Sequence, residues 1–358
     1  MVQIALVYIL REECKSKSSE QSLISELVSQ YHYMVEISIE QAKDIDLSRA
    51  IMLILDLPLN FNTVTTLREI LTKQQNKHVP TLFILDKLDR RQTVQVQSLN
   101  GTDFLTHPIS PNTFLSKLEK ISNHSIENSW SDLSKIQEAA LRASLKVFED
   151  LIQNINDSLP ISNDEVRMCC DLTIEATRDD GLATMIAAIR THHNYTYRHS
   201  MMVSGYMAAF GLLIGVNNIE LQNLVSCGLL HDIGKAKVPP ELLNKPSSLS
   251  EDEWTEMHRH PEYSREILQN MDCHADIKDG AIHHHEKLDG TGYPDGLMGK
   301  EISDIARMVA IADVFSGLTE KRAYKKSLSN EDAYTIMLSM NGHLDMDLLR
   351  AFKPVAVN

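Results

Sequence analysis

No apolar run in this 358-residue chain is long enough to cross a bilayer. The longest near the start, Val2 to Leu10, spans about nine residues against the roughly 20 a membrane helix needs, and it lacks the basic flank and cleavage site of a signal peptide. A cytoplasmic protein without membrane contact is the expectation. Cysteine is sparse and unpatterned: Cys14, Cys169, Cys170, Cys227 and Cys273 form no C-x-x-C pair, so neither a disulfide framework nor a thiolate zinc site is indicated. Positive charge is in deficit too, with a formal net charge of -14. An acidic surface repels the phosphate backbone from which non-specific nucleic-acid affinity derives, so nucleic acid is not an expected partner. Internal repeats and low-complexity segments are absent.

What is present is an ordinary globular composition, 43% hydrophobic and 23% charged, at a length suited to two domains. Short β-branched runs at Ile4–Leu10, Met34–Ile39, Ile51–Leu55 and Thr81–Leu85, with a weaker one at Phe104 and Leu105, alternate with amphipathic stretches over the first 120 or so residues. That alternation predicts a parallel α/β sheet. From about Ser131 the apolar residues recur at three- and four-residue steps, predicting a long connecting helix stopped by Pro160, and the helical candidates after it are joined by no convincing strand. The expected layout is therefore an α/β domain over 1–122, a linker helix over 123–160 and an all-α domain over 161–358. Ser250 with Glu253 forms a capping box, and Gly215 and Gly234 suit a left-handed backbone at helix ends.

Histidine is abundant: of 15, ten lie between His192 and His285. The pair His231-Asp232 ends an apolar helix in GLLHDIGK, where Gly228 allows close packing. An adjacent carboxylate can bridge two ions while the imidazole binds one. His260 precedes Pro261, which favours a first helical turn and puts His260 at the cap. With His199, His284, His285 and Asp313 the candidate ligands number five imidazoles and two carboxylates. Nitrogen and oxygen donors without thiolate suit Fe, Mn, Zn or Ni. His192, His193, His258, His274 and His343 read instead as satisfied polar residues on helices.

In order, the segments YTYRHS (from Tyr195), LLHDIGK (Leu229), VPPELLNKP (Val238), HPEYSREIL (His260), HHEKLDGTGYP (His284), ARMVAIADVF (Ala306) and KRAYKKSLSNEDA (Lys321) resemble the HD-GYP family of the HD phosphohydrolase superfamily, from about residue 140 onward. The resemblance implies a helical HD bundle in which His199, His231, Asp232 and Asp313 hold one metal and Asp232 bridges to a second held by His260, His284 and His285. It implies hydrolysis of cyclic di-GMP to linear pGpG, in many members continuing to GMP, at two divalent ions, iron first among them, which lower the pKa of a bridging water. Asp232 and Lys235 then carry catalysis, and Lys235, Tyr293, Arg322 and Lys325 contact substrate. The alternatives are a weakly active or inactive cyclic dinucleotide sensor or adaptor, and a hydrolase of cyclic GMP-AMP. After Asp313 the family commonly has DVxDALT, whereas this chain reads DVFSGLT, with Ser316 and Gly317 in place of an acid and an alanine. Some members carry Glu at the position of Tyr195 and recruit a third ion; tyrosine is a poor ligand, so two ions are expected.

The first 122 residues resemble a flavodoxin-like response-regulator receiver, with Asp56 ending the third strand in LILDLP and LTHPISPNTFLSKLEKI similar to its last strand, loop and helix. The acidic pair that holds magnesium in a receiver is replaced by LVYIL, and the usual lysine before proline by His107. Phosphorylation of Asp56 is not expected. The domain is expected to bind a protein partner or to support a homodimer.

Overall fold

The computed structural model describes residues 6–10, 21–22, 24–27, 34–47, 50–72, 79–190, 192, 194–243, 245, 248–320 and 327–357. It divides into two compact units, Met1–Ser129 and Trp130–Asn358, so that the stretch 123–160 is shared between them.

In the first unit, strands β1 (Leu6–Leu10), β2 (Met34–Ser38), β3 (Met52–Asp56), β4 (Thr81–Leu85) and β5 (Asp103–Thr106) alternate with helices α1 (Phe61–Thr72), α2 (Arg90–Ser98) and α3 (Pro111–Ser129). All pairings are parallel, in the order β2-β1-β3-β4-β5. This is the flavodoxin-like doubly wound order, with the reversal between β1 and β3. The sheet is covered on both faces. Ile9, Leu53, Leu55, Phe83 and Leu85 pack with Leu67 and Ile70 of α1 and Val96 of α2. The alternate residues Tyr8, Met52, Ile54, Leu82 and Ile84 pack with Phe114, Leu118 and Ile121 of α3. Two-sided burial explains why β3 and β4 read as continuous apolar runs rather than alternating ones.

The second unit is helical: α4 (Lys135–Asn156), α5 (Asn163–Asp180), α6 (Leu182–Ile189), α7 (Tyr195–Ile214), α8 (Asn218–Leu230), α9 (Glu251–Met257), α10 (His260–Leu268), α11 (Ala275–His283), α12 (Asp304–Thr319), α13 (Asn330–Met337) and α14 (Met346–Val357). Side chains inside helix starts set the boundaries: Ser134 caps α4, Ser250 with Glu253 forms the capping box of α9, and Ser303 caps α12. Gly215 ends α7 in the left-handed region, φ 74°. A core of Met202, Val203, Tyr206, Met207 and Phe210 from α7, Val309 to Ala312 and Phe315 from α12, and Leu349 and Phe352 from α14 holds the bundle. Helices α7 and α8 are apolar almost all round because they lie at its centre. Among the described residues no helix is long and apolar enough to cross a membrane.

Candidate metal centre

The seven ligand candidates come from five separate places and meet in the second unit. His199 lies in the second turn of α7, whose start is fixed by Asn194 accepting from the Tyr197 N–H at 3.0 Å. His231 closes α8, and Asp232 follows it into a tight 3-10 turn, Ile233–Lys237. The α7 and α8 backbones touch at Gly228, where a Cβ would stand 2.8 Å from the Ser204 Cα. That approach brings His199 Nε2 within 3.3 Å of His231 Nε2.

Gly234 differs from the expectation of a left-handed helix end: it is not among the glycines of positive φ. Its lack of a side chain serves a close approach instead, since a Cβ there would sit 1.9 Å from the His260 carbonyl oxygen. The Gly234 N–H also donates to Ser264 Oγ at 3.0 Å, seating the turn on α10. His260 is the first helical residue of α10 rather than its cap, with Arg259 at the cap position. His284 and His285 follow the last turn of α11, and Asp313 projects from the middle of α12.

Two groups result: His199, His231 and Asp313, and Asp232, His260, His284 and His285, with the donor atoms of each within 4.8 Å of one another. Asp232 faces both. Its Oδ2 is 3.3 Å from His231 Nε2 and 3.6 Å from His199 Nε2, while its Oδ1 is 3.3 Å from His260 Nε2 and 3.9 Å from His284 Nε2. Asp313 likewise offers Oδ1 to His199 at 2.9 Å and Oδ2 towards His285 at 3.9 Å.

The chemistry of these donors fits a bound cation. His231, His260 and His284 each direct Nδ1 at the carbonyl three residues back, Gly228, Met257 and Ala281, at 2.8, 2.8 and 2.9 Å. A carbonyl only accepts, so Nδ1 carries the proton and Nε2 presents a lone pair. Asp232 Oδ1, His260 Nε2 and His284 Nε2 are buried with no hydrogen-bond partner among the described residues. Such atoms cost about 1–3 kcal/mol each when unsatisfied, a cost a cation between them removes.

Burial pushes His260 down to about 4 and His284 to about 3, and drives His285 well down too, so all three are neutral at pH 7. Burial would raise Asp232, but the Lys235 ammonium, with Nζ 2.5 Å from Oδ2, and the neighbouring His231 hold it well below the usual carboxylate range. Asp313 is likewise held down, against its burial, by His199. For His199 burial works downward, yet Asp313 and Glu320 outweigh it and lift the imidazole to about 9. Metal-free, His199 holds a proton that an entering ion displaces.

The centre opens on one side. His285 and Asp313 are 26% and 15% exposed, while the other ligand candidates are nearly inaccessible. Tyr293 stands at that opening, its ring 4.8 Å from His285 and 4.5 Å from His258. Lys235 sits on Asp232, and Tyr195 stacks on His199 at 5.7 Å. Arg322 and Lys325 lie outside the described residues, as does His193. His192 packs between Trp130 and Tyr197, and His274 caps α11. His258 and His343 belong to neither ligand group.

Two buried glutamates escaped the sequence reading. Glu286 accepts the backbone N–H groups of Asp295, Gly296 and Leu297, fixing the loop that carries Tyr293. Glu320 lies 2.9 Å from His199 Nδ1. Position beside HHH and beside DVFSGLT was the only signal available for either. In the first unit, Asp56 is buried and accepts from Tyr8 Oη at 3.0 Å and Gln21 Nε2 at 3.1 Å, with His107 Nε2 3.9 Å away.

Residues 182–348 match the family model described as HD domain. The motifs quoted above, which resemble those of the HD-GYP family, lie in this helical unit. A cyclic di-GMP phosphodiesterase of Pseudomonas aeruginosa is 37% identical over 185 residues, covering 51% of this chain and 44% of that protein. The 3'3'-cGAMP-specific phosphodiesterase 1 of Vibrio cholerae is 39% identical over 154 residues, 43% of this chain and 36% of that one. The cyclic di-GMP phosphodiesterase response regulator RpfG of Xanthomonas campestris is 28% identical over 245 residues, 68% of this chain and 58% of that one. The chain spans less than two thirds of the length of each of these relatives.

Proposed function

We propose that this protein is a metal-dependent phosphodiesterase that hydrolyses cyclic di-GMP to pGpG, working in the cytoplasm. The observation that carries the reading is Asp232, a buried carboxylate facing a histidine group with each oxygen, beside histidine lone pairs that no described residue satisfies. One ion would be held by His199, His231, Asp232 and Asp313, and a second by Asp232, His260, His284 and His285, iron being the first choice and Mn, Zn or Ni the others. When bound, the pair would supply Lewis acidity that lowers the pKa of a water and offsets charge on the phosphoryl oxygens.

The chain's own residues prepare the site for that role. Lys235, with His231, holds the Asp232 carboxyl well below the usual carboxylate range against the opposing effect of burial. Backbone carbonyls hold three imidazoles in the tautomer a ligand needs. Tyr293 offers an aromatic wall at the opening, and Lys235, with Arg322 and Lys325 by family resemblance, supplies the local positive charge that an anionic dinucleotide requires in a chain of net charge -14. The first unit, with Asp56 already engaged by Tyr8, acts by binding a protein partner or by supporting a homodimer.

The 39% identity to a cGAMP-specific enzyme over 154 residues favours cyclic GMP-AMP as the second substrate reading. Turnover of both dinucleotides by the metal-loaded full chain, beside His284→Ala and Asp232→Ala, tests the proposal. Cyclic di-GMP is expected to be opened by the wild type alone, with the helical circular dichroism of both variants retained. Undiminished turnover in both variants refutes the mechanism, and binding without turnover in the wild type leaves a sensor in its place.

A further inference from the structure

We infer that Glu320 is the positioning residue that orients His199 towards its metal, a carboxylate supplied one helical turn beyond Ser316, where relatives commonly carry an acid. This rests on the two-ion reading above. Three ligand histidines stand at helix ends and use a free backbone carbonyl to hold Nδ1. His199 stands inside α7, where the carbonyls before it are engaged in the helix ladder, so its Nδ1 proton needs a side-chain acceptor. Glu320 provides it. The residue is 1% exposed, directly after the last turn of α12, with its N–H donating to the Ser316 carbonyl at 2.9 Å. Its Oε2 is 2.9 Å from His199 Nδ1, and its Oε1 accepts from Arg198 Nε at 3.0 Å, which pairs the buried charge. Ser316 Oγ lies 3.2 Å from the same Nδ1 and donates to Glu320 Oε2 at 3.4 Å. The two positions thus reach one point from successive turns. A carboxylate there fixes the ring and raises the basicity of Nε2, as in the carboxylate–histidine–metal arrangement.

A merely structural Glu320 would tie α7 to α12 through Arg198 and do nothing for the metal. Anaerobic titration of the stripped full chain with Mn2+, followed by calorimetry and metal analysis, separates the two. Wild type is expected to take two ions. Glu320→Ala is expected to keep one and to bind the other roughly ten- to a hundredfold more weakly. Adding Ser316→Asp to Glu320→Ala is expected to restore that affinity to within about threefold, because the new carboxylate reaches the same Nδ1. Wild type that takes no pair of ions overturns the two-ion reading and this inference with it. A two-ion wild type with an unchanged Glu320→Ala isotherm overturns the role of Glu320 alone. So does a loss that Ser316→Asp leaves unrestored, or a failure of both variants to fold, since either makes Glu320 a brace.

Discussion

Replacing Glu286 by glutamine keeps the size of the side chain and changes only its charge and one donor–acceptor sign. In the native protein Oε1 accepts from the Asp295 and Gly296 N–H groups at 2.7 and 2.9 Å, and Oε2 from Leu297 at 3.1 Å. Glutamine can offer its carbonyl oxygen to the first two, but its amide then points N–H at the Leu297 N–H. One buried donor is left without an acceptor, costing about 1–3 kcal/mol, and two charge-assisted bonds become neutral ones, costing about 1 kcal/mol each. The loop can swing open locally, which caps the loss at the loop's own stability, so about 3 kcal/mol is a fair expectation. At one decade per 1.4 kcal/mol, the Asp295, Gly296 and Leu297 amides should exchange with solvent roughly a hundredfold faster, with little change at α7 or α8. Tyr293 rides on the same loop, so KM should rise more than kcat falls. Unchanged exchange at those three amides would refute the reasoning.

Metal-free protein should be most stable near pH 6.5, the ordinary histidine value. Its unfolded chain takes up protons that His192, His260 and His284, held at about 4, 4 and 3, do not accept when folded, so stability falls as pH drops from 6.5 by up to about 1.4 kcal/mol per unit for each. His199, lifted to about 9, adds stability that is complete below 6.5 and is lost as pH rises through 9; thermal unfolding across this range should show both limbs, and a flat profile contradicts the assignment. Small phosphodonors with magnesium should leave the first unit unlabelled, because Tyr8 and Gln21 already occupy Asp56; acid-labile phosphate that disappears on Asp56→Ala would reverse that view.

Local pattern carried the sheet and most helices into view, because burial on one face or two leaves a period in the sequence. Strand ends moved by a residue, as at Ile51 against Met52, since pairing with a neighbour decides where a strand begins. The seven ligand candidates were legible because His-Asp and His-His pairs are rare neighbours, although their convergence came only through family resemblance. Gly234 was misread for a physical reason: a glycine needed for helix contact and one needed for a left-handed turn look identical in sequence. Glu286 and Glu320 were invisible because a glutamate's burial is decided by elements far along the chain, α12 against α7 in the case of Glu320 and His199.

Charge links these features. Among the described residues, the carboxylates Asp232 and Asp313 and the cation Lys235 stand at the centre, and Glu320 with Arg198 lies behind His199. With every histidine neutral that set is one negative charge in excess, and the proton held by His199 cancels it in the metal-free protein. Two divalent ions, bound as proposed, would displace the proton and leave a positive excess at the His285 and Asp313 side, on a chain whose net charge is -14. Field lines from so local a source are focused by the low-dielectric walls around it rather than spread over the surface. On the proposed function, an anionic dinucleotide would be drawn to this opening despite the net charge of -14, which is how an acidic protein can select a phosphate ligand.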